Sequence, residues 1–249
     1  MTSAVCFPVR SARAQGPRNA AWEPVRPVID EGCMVGLGSA AADALARILP
    51  VLACGEESAI HVFSTASQAS FARGAPSAGK TMLAIARDEE VHSDIIDALR
   101  ALLPVCAERE QLRLEARGFY LRLASSDPRL HFLRIRELDS AVCLILSALL
   151  QSGAALEKAP RLRDIAARIR SDEARHVRLT RRYLSVAELP MHADDEVERV
   201  RISLVRLLDR IGGAFEDLGT DPDRLFLRIQ SRARLTGAES RGEGEPDFQ

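Results

Sequence analysis

The 249-residue chain has almost no net charge: 34 Lys+Arg stand against 35 Asp+Glu, a formal −1 at pH 7. No global positive field attracts a phosphate backbone, so a nucleic-acid partner is not expected. The five cysteines, Cys6, Cys33, Cys54, Cys106 and Cys143, are scattered, odd in number and without a C-x-x-C pair. That excludes a disulfide framework and a zinc ribbon, and favours a reducing, cytoplasmic setting. No window approaches the ~20 consecutive apolar residues of a membrane span, so a soluble protein is expected. Ala12-Arg13-Ala14 mimics a signal-peptidase site, but no basic stretch precedes it and Pro8 breaks its short apolar run, which argues against secretion. Alternating β-branched runs are also few.

What is present is apolar and helical. With 47% hydrophobic residues a chain of this length can bury one sizeable core. Ala, Leu, Arg and Glu dominate, which predicts an all-α domain. Residues 1–38 carry Pro8, Pro17, Pro24 and Pro27 without an apolar period and read as an irregular arm, and 237–249 read as a flexible tail. The domain between them, 39–236, divides at its prolines and caps. A first helix is expected from Ser39 to Phe71, kinked or split at Pro50, and a second from Ser77 to Leu103. A helical stretch over 105–124 follows, then a third core helix from Pro128, capped by Asp127, to Gln151. Pro160 opens a fourth, to about Val186. A fifth amphipathic segment should run from Asp194 to Leu218, and a short last helix should start at Asp221-Pro222. The long helical connection between the second and third core helices suits a four-helix bundle with a crossover and extra C-terminal helices.

One motif occurs twice. Ile85-Ala-Arg-Asp88-Glu89-Glu90-Val91-His92 and Ile169-Arg-Ser-Asp172-Glu173-Ala174-Arg175-His176 both read I-x-x-D-E-x-x-H. A Glu and a His three residues apart lie about 60° apart around a helix, so both can address one metal ion. Each motif shares its face with apolar residues: Met82, Ile85 and Ile96 in the first, Leu162, Ile169 and Tyr183 in the second. Carboxylates turned into a core need cations between them. On the first helix Glu56 lies nearer the centre of the apolar stripe than Glu57, and on the third Glu137 lies in the middle of one stripe. The intervals are alike, 89−56 giving 33 residues and 173−137 giving 36. The reading is therefore E…D-E-x-x-H…E…D-E-x-x-H.

This pattern resembles the ferritin-like di-iron carboxylate superfamily, whose cores take one Glu from each of two helices and Glu-x-x-His from each of the other two. Within it, the chain is most similar to p-aminobenzoate N-oxygenase-like di-iron oxygenases. The resemblance, over roughly 39–186, implies that Glu56, Glu89 and His92 serve one iron and Glu137, Glu173 and His176 the other, two of the glutamates bridging. It also implies that Asp88 and Asp172 orient ligand histidines, and Asp172-Glu-x-Arg175-His176 matches the D-E-x-R-H of oxygenase subunits. The implied cofactor is a pair of Fe ions, with Mn/Fe the alternative, and the implied reaction is O₂ activation toward a small organic substrate, by N-oxygenation of an amine or by hydroxylation. Three positions depart from named relatives. Ile169 replaces the extra histidine of the N-oxygenases, Ala141 the threonine of multicomponent hydroxylases, and Ile96 the tyrosine of ribonucleotide reductase. A ferritin- or rubrerythrin-like role in iron oxidation, storage or peroxide detoxification is the alternative. The arginine run from Arg161 to Arg182 reads as a solvated face, or as a docking surface for an acidic reductase, ferredoxin or carrier protein; a homodimer is a further expectation. Cys54 and Cys143 are expected to pack in the core, and His61, His131 and His192 to be peripheral.

Overall fold

The computed structural model describes residues 27–231 apart from Ser126, residues 184–188 and residues 190–191, together with the side chain of Pro128. Among the described residues the protein is all-α. Eight helices follow in order: α1 Ser39–Ala72, α2 Pro76–Leu102, α3 Arg109–Arg122, α4 Pro128–Leu149, α5 Pro160–Tyr183, α6 Ala193–Asp209, α7 Gly212–Asp217 and α8 Pro222–Gln230. The flexible tail expected over 237–249, the first part of the expected arm and the expected end of the fourth core helix at Val186 lie outside the described residues.

Local chemistry sets most of the boundaries. Pro76, Pro128, Pro160 and Pro222 each stand in the first turn of a helix, where the missing N–H costs nothing. The Asp127 carboxylate accepts from Arg129 N at 2.9 Å and that of Asp221 from Arg224 N at 3.1 Å, satisfying first-turn donors. Two expectations are corrected. Pro50 does not split α1: it is buried within one continuous 34-residue helix. The segment from Asp194 is two helices rather than one, because the chain turns at Arg210-Ile211 before α7 begins at Gly212.

The four long helices enclose the core. α1 packs on α2 and α4 on α5; α1 also meets α4 and α2 meets α5, closing a ring. Short connections, 73–75 and 150–159, make each pair antiparallel. The helix α3 runs outside this ring against α1, and α6, α7 and α8 cover α4 and α1. Residues 27–38 are not wholly irregular: they form a 3₁₀ turn, Glu31–Met34, capped by Asp30 and packed on α5, where Arg161 Nη1 donates to Asp30 Oδ1 at 2.7 Å.

A candidate metal centre between four helices

The repeated motif is brought face to face at the middle of the ring. Glu89 and His92 come from α2, Glu173 and His176 from α5 and Glu56 from α1, and each is almost fully buried. One ligand atom from each of Glu56, Glu89, His92 and Glu173 lies within 4.8 Å of the others, a buried group that could hold a metal ion. His92 Nδ1 stands 3.3 Å from Glu89 Oε2, 3.3 Å from Glu173 Oε1 and 3.6 Å from Glu56 Oε2. His176 Nδ1 stands 3.0 Å from Glu89 Oε1 and 3.8 Å from Glu173 Oε2. Glu89 and Glu173 therefore each turn one oxygen to one histidine and the other oxygen to the second. The two imidazole rings lie 6.0 Å apart, centre to centre.

The other ring nitrogens are engaged crosswise. His92 Nε2 meets Asp172 Oδ2 at 3.4 Å, from the opposite helix, and His176 Nε2 meets Asp88 Oδ2 at 3.1 Å. Arg175 Nη2 joins the two aspartates, donating to Asp88 Oδ2 at 2.7 Å and to Asp172 Oδ1 at 2.9 Å. With the proton on Nε2, facing an aspartate, each histidine presents the lone pair of Nδ1 to the centre, as a metal ligand must.

Glu137 is not brought to this centre. Its carboxylate accepts from Arg201 of α6, at 2.7 Å from Nη2 and 3.2 Å from Nε, and from Arg136 Nη2 at 3.0 Å. Burial alone would raise its pKa, but the two guanidinium groups outweigh this and hold it below the usual carboxylate range. A second carboxylate of α4, Asp139, lies two positions and about 200° further around the helix, outside the four-residue group that could hold one ion. It is buried, its Oδ2 has no hydrogen-bond partner, and it feels the charges of Glu173, Glu89, His176 and Glu56. The interval pattern carried this signal: 173−139 gives 34, closer to the 33 of the first half than the 36 of Glu137. Glu57, the alternative to Glu56, is half-exposed and pairs loosely with Arg117 at 3.9 Å.

The electrostatics describe a centre that lacks positive charge. Burial and the neighbouring Glu89 push the Glu56 carboxyl well above its ordinary pKa. Burial and Glu173 do the same to Asp139. Burial would raise Glu89 too, but His176 and His92 outweigh it and hold this carboxyl low. Both histidines are in turn raised well above the ordinary value, against the effect of their own burial, by the carboxylates around them. Glu89 Oε1 and His176 Nδ1 face each other at 3.0 Å yet make no aligned hydrogen bond. Two buried ligand atoms this close and without a hydrogen bond suit a common cation.

Tyr120, on α3, is a neighbour that sequence reasoning missed. Its hydroxyl fills the space beside Gly55, where a Cβ would stand 2.7 Å from the oxygen. Burial, then the charges of Cys54, Glu56, Asp139 and Glu173, push its pKa well up, so it stays a neutral phenol beside the α1 and α4 carboxylates. The sulfur of Cys54 is turned away from the cluster, to Arg113 O at 3.6 Å. His131, expected to be peripheral, is buried, and its pKa is pushed down to about 4 by burial and by Arg134. Tyr183 joins Ser70 at 2.9 Å between hydroxyl oxygens and packs on Phe132.

No protein-family model, curated protein or solved structure matches the chain. Among the described residues no helix is long and apolar enough to cross a membrane.

Proposed function

We propose that the chain is a ferritin-like di-iron oxidase or oxygenase that activates O₂ to oxidise a small organic substrate. The observation that carries this reading is the straddling of His92 and His176 by the two oxygens of Glu89 and by those of Glu173. A carboxylate spread between two imidazoles can bridge two cations, one on each histidine. Glu56, 3.6 Å from His92 Nδ1, and Asp139, which feels the charges of the cluster, would complete the residues that hold the ions. Charge supports two ions: Glu56, Glu89, Asp139 and Glu173 bring four negative charges, which two divalent cations balance. Oxygen and imidazole donors without a thiolate suit iron, or manganese with iron, better than structural zinc.

When bound, such a pair would pass two electrons to O₂, restored after each turnover by an external reductase or ferredoxin, so that with two protons one oxygen atom enters a C–H or N–H bond and the other leaves as water. The residues of this chain do the rest. Asp88 and Asp172 fix which histidine nitrogen carries the proton, and Arg175 keeps the two aspartates in register on α2 and α5. Tyr120 keeps water from the α1 side of the centre. The apolar walls that continue from Glu56 favour an oxidised organic molecule over a mineral store.

The test is anaerobic loading with Fe(II), followed by O₂ and optical spectroscopy. The reading expects two irons per chain and O₂ uptake that stops once they are oxidised, resuming only with a reductant. Continued uptake of iron into a growing ferric mineral would replace it with the storage reading.

A further inference from the structure

The ring of four helices does not close evenly around the centre. On the side of Leu45 a narrow apolar cleft runs away from Glu56, among the described residues the only charged one in its wall. All four long helices build it in matching register. α1 contributes Leu52 and Leu45, α2 Ile96, α4 Leu146 and α5 Ile169, each placed one to three turns from its helix's residue at the centre. Leu45 and Glu56 are eleven residues apart (56−45), so the cleft is about 16 Å long at the helical rise. Its far end is finished by Met34 of the 3₁₀ turn.

Its width decides what fits. About 50 Å³ lies far enough from every atom to hold the centre of a water molecule. Averaged over roughly 16 Å, that corresponds to a mean bore about 5 Å across once the water radius is added. A methylene chain passes through such a bore; the breadth of an aromatic ring does not. We propose that the cleft is the substrate's seat and that the substrate is an unbranched aliphatic chain of roughly a dozen carbons, its oxidisable head at Glu56 and its tail toward Met34. This rests on the metal-centre reading only for the chemistry at the head; the tail site stands on the cleft itself. Aryl amines do not suit this bore.

The two parts separate in one experiment. Straight-chain primary alcohols from hexanol to tetradecanol are titrated by calorimetry into protein with and without Co(II), whose visible absorption reports metal binding independently. Affinity should rise about fourfold for each added methylene and level off near twelve carbons. Benzyl alcohol should bind no better than hexanol. Ala166→Leu, a residue of the cleft wall seven positions from Glu173, should weaken dodecanol at least tenfold and leave hexanol unchanged. Leu149→Ala, at the far end, should move the plateau to longer chains, which guards against misfolding as the cause of the first result. Affinity independent of chain length, or an unmoved plateau in both variants, overturns the cleft proposal even if Co(II) binds. A length ladder with no Co(II) absorption keeps the cleft and removes the metal centre.

Discussion

The two halves of the centre are built on the same plan and differ at one carboxylate. In the α1–α2 half, the glutamate on the apolar stripe, Glu56, is the one that reaches the cluster. In the α4–α5 half the glutamate on an apolar stripe, Glu137, faces outward to α6 and is clasped by Arg201 and Arg136, while the shorter Asp139 faces in. The difference arises because α1 and α4 have different neighbours. Both helices are also covered outward, α1 by α3 and α7 and α4 by α6 and α8, but on α4 the outer helix α6 supplies Arg201, which binds the glutamate of the stripe. An apolar stripe on α4 therefore does not say which side it covers.

The largest effects should come from the shared carboxylates. Glu89→Ala or Glu173→Ala removes an oxygen from both histidines at once, and metal content measured by plasma emission should fall from two ions per chain to fewer than one. Next comes Glu137→Ala, which takes from buried Arg201 and Arg136 the carboxylate that they share and should cost about 3–5 kcal/mol in urea unfolding. If Glu137 is instead a ligand, this variant loses metal without that loss in metal-free stability. Third are the crossed aspartates. Asp88→Asn should weaken binding on the His176 side and Asp172→Asn on the His92 side, each about 10–100-fold by metal titration. Asp88 should be the stronger of the two, since its carboxylate is buried and that of Asp172 is 20% exposed. An effect on the histidine of the same helix would break the crossed pairing.

The smallest effect lies on α4 away from the centre. His131 has its pKa lowered to about 4 from 6.5, so the folded protein keeps it neutral while the unfolded chain takes up a proton. Its contribution is whole above pH 6.5 and is lost as pH falls toward 4, on the order of 2 kcal/mol between pH 6.5 and 5. His131→Gln should flatten that part of the stability profile; an unchanged slope would assign the acid sensitivity to other groups.

Much of this was legible in the sequence for a physical reason. The prolines and aspartate caps are local, so the starts of α2, α4, α5 and α8 could be placed within a residue or so. The D-E-x-x-H repeat is local as well, because one helix turn fixes the Glu and His together. Asp139 was hidden because choosing it needs the rotation of α4, which the partners α5 and α6 decide between them. The Asp88–His176 and Asp172–His92 pairs cross between helices, and neither helix alone reveals which histidine each aspartate serves. Tyr120 comes from α3, outside the ring, and only Gly55 hinted that a side chain from elsewhere needs room beside Glu56. Pro50 carried a strong local signal for a break that a long buried helix overrode.

In the proposed centre two cations would be held by Glu89 and Glu173 together with Glu56 and Asp139. The most direct test is the stoichiometry of Fe(II) bound under argon to the unaltered protein, to Asp139→Ala and to Glu137→Gln. Two, one and two ions per chain are expected. One ion in the unaltered protein, or a loss in Glu137→Gln with two retained in Asp139→Ala, would contradict it.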